Sequence, residues 1–100
     1  YIPMDEALAF ASVDISGRPF LVYNAEYPQA VVGAYDCCMT EEFFRAFAFN
    51  AGITLHINSE YGANSHHIIE AIFKAVAHAM KSAMKQTSTA QALSTKGSLD

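Results

Sequence analysis

Apolar and polar positions alternate along this chain with two different periods, and the changes of period mark its elements. Leu8 to Ile15 alternates without Gly or Pro, and Phe20 to Ala25 is rich in aromatic and β-branched residues. Ser16-Gly17-Arg18-Pro19 between them has turn chemistry, so this stretch predicts a β-hairpin. Ala30 to Tyr35 is a weaker third strand after a turn at Tyr27-Pro28. Thr40 is placed to cap a helix running to about Asn50, with Phe43, Phe44, Phe47 and Ala48 as its apolar stripe and Glu41 and Glu42 near the positive end of its dipole. Gly52 stops that helix. From Ile53 to Asn58 the alternation is strict, with Ile53, Leu55 and Ile57 on one face and Thr54, His56 and Asn58 on the other, as in a strand buried on one side.

A polar loop, 59–64, leads into a long helical period. Ser65 reads as its N-cap, Ile69, Ile72, Phe73, Val76 and Met80 as the face toward the sheet, and Glu70, Lys74, His78 and Lys81 as the outer face. After about Lys85 the composition turns to Gln, Ser, Thr and Ala, the signature of a loose tail. The expected fold is α+β: a two-layer sandwich with an approximately four-stranded sheet and two helices on one face, formed by residues 1–85, with 86–100 as the tail.

Composition narrows the function classes. One hundred residues suffice for one core. A hydrophobic content of 52% reflects either surplus apolar surface meant for a partner or simple alanine abundance. Net charge −4, with six basic residues and no basic run, argues against nucleic acid. Apolar runs are too short for a membrane span, and a soluble chain is expected. Adjacent Cys37 and Cys38 make no disulfide framework and fit reduced thiols in a cytoplasmic compartment, with a Cys-Cys metal site as the alternative.

Chemistry concentrates in Asn64-Ser65-His66-His67-Ile68-Ile69-Glu70. On a helix, His66 and Glu70 are four apart and His67 and Glu70 three apart, so their side chains project near one another. Two imidazoles and a carboxylate suit Zn, Mn, Fe or Ni better than Ca or Mg. The plainer alternative is three solvated residues in the first turn of an amphipathic helix. His56, in an alternating strand, reads as structural, and His78 as solvated.

Gly62-Ala63-Asn64-Ser65-His66-His67-Ile68-Ile69-Glu70-Ala71-Ile72-Phe73-Lys74-Ala75 resembles the second metal-binding signature of the imidazoleglycerol-phosphate dehydratases. Met4-Asp5-Glu6-Ala7-Leu8-Ala9, Asp14-Ile15-Ser16-Gly17-Arg18-Pro19, Glu41-Glu42-Phe43-Phe44-Arg45-Ala46, Asn50-Ala51-Gly52-Ile53-Thr54-Leu55-His56 and Ser94-Thr95-Lys96-Gly97 resemble the same family, in order and spacing. The resemblance implies a C-terminal half, because the family enzyme has two similar halves and nothing here matches the first half's Asp-His-His motif. It implies His66, His67 and Glu70 as ligands to manganese, two ions per complete site, where subunits meet. A fourth ligand position, often His, falls on Glu42; either its carboxylate replaces imidazole or it is a carboxylate at the helix N-terminus.

The same resemblance points to Arg18, Lys74, Ser94 and Lys96 for the substrate phosphate, although Lys74 can simply pair with Glu70 and Arg18 can be a turn residue. The implied activity is a hydro-lyase step of histidine biosynthesis, in which imidazole glycerol phosphate loses water to give imidazole acetol phosphate. The substrate ring serves as electron sink, and the acid-base carboxylate lies in the N-terminal half. Implied partners are that half and a homo-oligomer of 24 subunits. A different class of function is a metal-binding half-domain that self-assembles without turnover, and another is an unrelated interaction domain with an incidental motif.

Overall fold

The structure is a computed structural model describing the backbone of residues 1–98 and the side chains of residues 1–86. Its elements are β1 (Ile2–Met4), β2 (Ala7–Asp14), β3 (Phe20–Asn24), β4 (Val31–Val32), β5 (Tyr35–Asp36), α1 (Cys38–Ala51), β6 (Thr54–Tyr61) and α2 (Ser65–Ser98). The main sheet has the order β1-β2-β6-β3. β1 and β6 flank β2 antiparallel, and β3 runs parallel to β6.

The expected hairpin does not form, because β6 lies between β2 and β3. Turn chemistry at 16–19 decides only that the chain reverses. The deciding feature is the most apolar strand face, Ile53-Leu55-Ile57, which is buried completely only in a central position. The loop is tied to the start of β6 by the Thr54 hydroxyl donating to the Arg18 carbonyl at 2.9 Å and by the Phe20 N–H donating to the Ile53 carbonyl at 3.1 Å. α1 then supplies the crossover that a parallel pair requires. The third strand expected at 30–35 is instead split into β4 and β5, a two-stranded hairpin separate from the main sheet.

α1 begins two residues before Thr40, after Cys37, with no side-chain cap. Thr40 is not the cap; it is fully buried, and its hydroxyl hydrogen-bonds the Tyr35 hydroxyl at 2.7 Å. Gly52 does end the helix, in the left-handed region at φ 67°, with its N–H donating to the Ala48 carbonyl. At the start of α2 the cap is Asn64 rather than Ser65: Asn64 Oδ1 accepts from the N–H groups of His66 and His67 at 2.9 and 3.2 Å. α2 also continues beyond Lys85 to Ser98, through a sequence with no Pro and no Gly before Gly97.

Both helices cover one sheet face, where Phe44 and Ala48 of α1, Leu21, Ile53, Leu55 and Ile57 of the sheet side, and Ile68 and Ile72 of α2 form one continuous core. α2 turns Ile68, Ala71, Ile72, Ala75 and Val76 inward, about one position off the expected face. The small side chains of Ala7 and Ala9 on β2 allow this alanine stripe to approach the sheet closely. Phe73 is displaced to the side, 38% exposed, its ring 4.8 Å from that of Phe44 and 5.4 Å from that of Phe43. The other sheet face carries exposed Phe20, His56 and Tyr61.

Candidate functional site

The site is built at the turn where the chain leaves β6 and enters α2. Gly62 passes so close to β2 that a Cβ there would lie 2.5 Å from Ile68 Cγ1 and 3.0 Å from Ala7 Cβ. That approach delivers the N–H groups of Ala63 and Asn64 to Glu6 Oε2, at 2.9 and 3.1 Å. The other oxygen of the same carboxylate, Oε1, meets His67 Nδ1 at 2.5 Å. Asp5 stands beside it in the β1–β2 turn, with a positive φ of 50°, and places Oδ2 3.5 Å from His67 Nε2.

These contacts fix the local electrostatics. The bond to His67, and after it the Ala63 N–H, hold the Glu6 carboxyl down at about 2, far below its ordinary 4.5. The same bond raises the His67 imidazole above its ordinary 6.5. A carboxylate that grips Nδ1 fixes the ring orientation and leaves Nε2, on the side of Asp5, as the nitrogen able to ligate, the arrangement by which outer carboxylates orient histidine ligands.

The motif spacing produces its own pair. His66 Nε2 lies 3.1 Å from Glu70 Oε1, while Glu70 Oε2 is 3.7 Å from Lys74 Nζ, which also approaches Met4 Sδ at 3.5 Å. Donors bound at about 2.0–2.2 Å on adjacent corners of an octahedral or tetrahedral ion stand roughly 3 Å or slightly more apart, so the His66–Glu70 separation fits two corners of one cation. The two imidazole centroids are 6.2 Å apart. His66 is therefore paired with Glu70, whereas His67 faces Glu6 and Asp5. His66 is 61% exposed and His67 29%, leaving the first open to another protein surface.

Not every expected residue gathers here. Glu42 is on the exposed side of α1, near Arg45, Ala46 and Phe49. Arg18, in the loop before β3, is bonded beside the start of β6, separated from the α2 end by that strand's length of roughly 23 Å for seven residue steps. Ser94 and Lys96 lie on the helical backbone of α2, their side chains outside those described. Among the described residues no group of three or more His, Cys, Asp or Glu forms a ready cation cage. His56 is exposed opposite Ser12 on the open sheet face and His78 is exposed on α2. Cys37 is buried and Cys38 exposed, both free.

Residue-level reading of the sequence missed Asp5, Glu6 and the capping role of Asn64. Asp5 and Glu6 fall in a motif that was legible only as a resemblance, and they reach His67 across about 60 residues. No local spacing signals such a contact.

Fold and site together define a two-layer α+β domain that presents paired imidazoles and a carboxylate on the first turn of its long helix. Residues 1–80 match the profile of the family described as imidazoleglycerol-phosphate dehydratase. The chain belongs to that family. Among its relatives, the imidazoleglycerol-phosphate dehydratase of Alkaliphilus metalliredigens is 56% identical over 100 residues, covering 99% of this chain and 51% of that protein. That of Lactococcus lactis subsp. cremoris is 58% identical over 101 residues, covering 98% and 50%. The crystal structure of the Staphylococcus aureus dehydratase aligns with a TM-score of 0.77 at 56% identity, over 79% of this chain and 46% of that one. The Pyrococcus furiosus structure aligns at 0.72 and 35% identity, over 79% and 44%. The chain spans about half the length of the relatives it matches. No helix among the described residues is long and apolar enough to cross a membrane.

Proposed function

We propose that this chain supplies the C-terminal half of a manganese-dependent hydro-lyase that removes water from imidazole glycerol phosphate in histidine biosynthesis. The observation that carries this is the donor arrangement on α2: His66 Nε2 and Glu70 Oε1 separated by 3.1 Å, beside a His67 whose Nδ1 is already gripped by Glu6. His66, His67 and Glu70 would hold the cations, and Glu42 would add an oxygen donor to a site completed by another subunit. Bound manganese would supply Lewis-acid stabilisation of charge developing on the substrate's imidazole ring.

The chain's own groups bind and orient. Glu6 keeps His67 Nε2 available, and Lys74 carries a positive charge 3.7 Å from Glu70, able to draw a phosphomonoester toward the end of the motif. Arg18 would reach the phosphate from another copy, since Arg18 and Lys74 do not converge within one chain, and Ser94 and Lys96 would add donors to it. Exposed Phe43, Phe49 and Met39 on α1 leave apolar surface for the N-terminal half and for assembly into a 24-subunit shell. The expected location is the cytoplasm.

The test is to combine this chain with an N-terminal half and measure bound manganese, assembly mass and release of imidazole acetol phosphate. Activity that needs both halves and metal supports the proposal. Manganese uptake without turnover in the paired assembly indicates the non-catalytic metal-binding half-domain, and neither metal nor turnover rejects both.

A further inference from the structure

Ser65 immediately precedes the two histidines, and it is fully buried although it is polar and stands at a helix start. Its N–H and its hydroxyl both bond one residue from a distant segment. The Ser65 N–H donates to Gln29 Oε1 at 2.7 Å, the Ser65 hydroxyl donates to the Gln29 carbonyl at 2.8 Å, and the same hydroxyl accepts from the Gln29 N–H at 2.9 Å. Gln29 Nε2 then donates to the Ala63 carbonyl at 3.2 Å, so one amide side chain spans both sides of the turn. The loop holding Gln29 is itself anchored, since Cys37 donates through Sγ to the Gln29 carbonyl at 3.3 Å and through its N–H to the Ala30 carbonyl at 2.9 Å.

We propose that Gln29 is a positioning residue for the metal motif: its side-chain amide locks the first turn of α2 and thereby sets the directions of His66 and His67. This rests on the metal reading given above. The physical case is one of division of labour. Asn64 satisfies the N–H groups of His66 and His67, and Glu6 those of Ala63 and Asn64. Ser65 N–H, between these two sets, depends on Gln29 alone for its side-chain acceptor. Releasing it lets the turn relax where two ligands begin, and outer partners of this kind typically govern about 10- to 100-fold in metal affinity.

Gln29→Ala is an informative variant because both backbone bonds to the Ser65 hydroxyl remain, so the domain stays folded. Gln29→Glu retains the acceptor for Ser65 N–H. The experiment uses the chain paired with its N-terminal half and reads manganese titration by electron paramagnetic resonance, together with amide exchange in the metal-free state. Gln29→Ala is expected to weaken manganese binding about 10- to 100-fold and to speed exchange at Ser65 while β6 amides keep their protection. Gln29→Glu, which keeps the acceptor but loses the donor to the Ala63 carbonyl, is expected to recover part of the affinity. Parental affinity in Gln29→Ala, or unchanged exchange at Ser65, overturns the proposal alone. Absence of manganese binding by the unsubstituted assembly overturns the metal reading and this proposal together.

Discussion

Gly62→Ala tests how the loop before the histidines is seated. The new methyl would enter 2.5 Å from Ile68 Cγ1 and 3.0 Å from both Ile68 Cδ1 and Ala7 Cβ. Ile68 is 1% exposed and Ala7 belongs to β2, so neither can yield without moving the core or the sheet. Overpacking of this kind costs about 1–3 kcal/mol. The opposing gain from a stiffer unfolded chain, about 0.4–1 kcal/mol, applies fully only where the native site has room, and the clash outweighs it here. At about 4–8 °C per kcal/mol for a domain of this size, the melting temperature should fall by roughly 4–24 °C. Ile68→Ala alone should cost about 2–5 kcal/mol by leaving a cavity. The double variant places the added methyl in that cavity, so urea melts should give a total smaller than the sum by about 1 kcal/mol or more. A Gly62→Ala chain as stable as its parent, or strict additivity in the cycle, would refute this account of the loop.

Three other outcomes are expected. Glu6→Gln should lower the melting temperature of the metal-free chain most between pH 4.5 and 6.5. The depressed Glu6 carboxyl contributes above its unfolded value of 4.5 and loses that contribution as pH falls toward about 2, while the raised His67 contributes fully below 6.5 and less as pH rises through its folded value; a pH-independent difference in thermal melts would contradict this. In the paired assembly, His67→Ala and Glu70→Ala should abolish turnover together with bound manganese, whereas Lys74→Ala should chiefly raise KM, as steady-state kinetics with metal analysis will show. Leu55→Ala, fully buried near the start of β6, should cost about 2–5 kcal/mol in denaturant unfolding.

The periodic signals carried much of the fold. Ile53, Leu55 and Ile57 alternate because their strand has one buried face, and Gly52 marks a helix end because its left-handed backbone suits a residue without Cβ. Strand order was not legible, since Ser16-Gly17-Arg18-Pro19 signals a reversal without specifying which strand it brings alongside. Both N-cap assignments failed for one physical reason: Thr40 and Ser65 are hydroxyl residues at helix starts, but each is buried and spends its hydroxyl on Tyr35 or Gln29 instead of on its own helix. At the site, His66 and Glu70 follow from i,i+4 geometry. Glu6, Asp5 and Gln29 come from segments distant in sequence and became visible only once β1, β2 and the loop after β3 were folded around the start of α2.

The most direct measurement is an anomalous-difference map at the manganese edge, from crystals of the chain joined with its N-terminal half and grown with manganese. Peaks are expected beside His66 Nε2 with Glu70, and beside His67 Nε2. A map without a peak at either imidazole, from well-ordered crystals of the joined halves, would contradict the central claim.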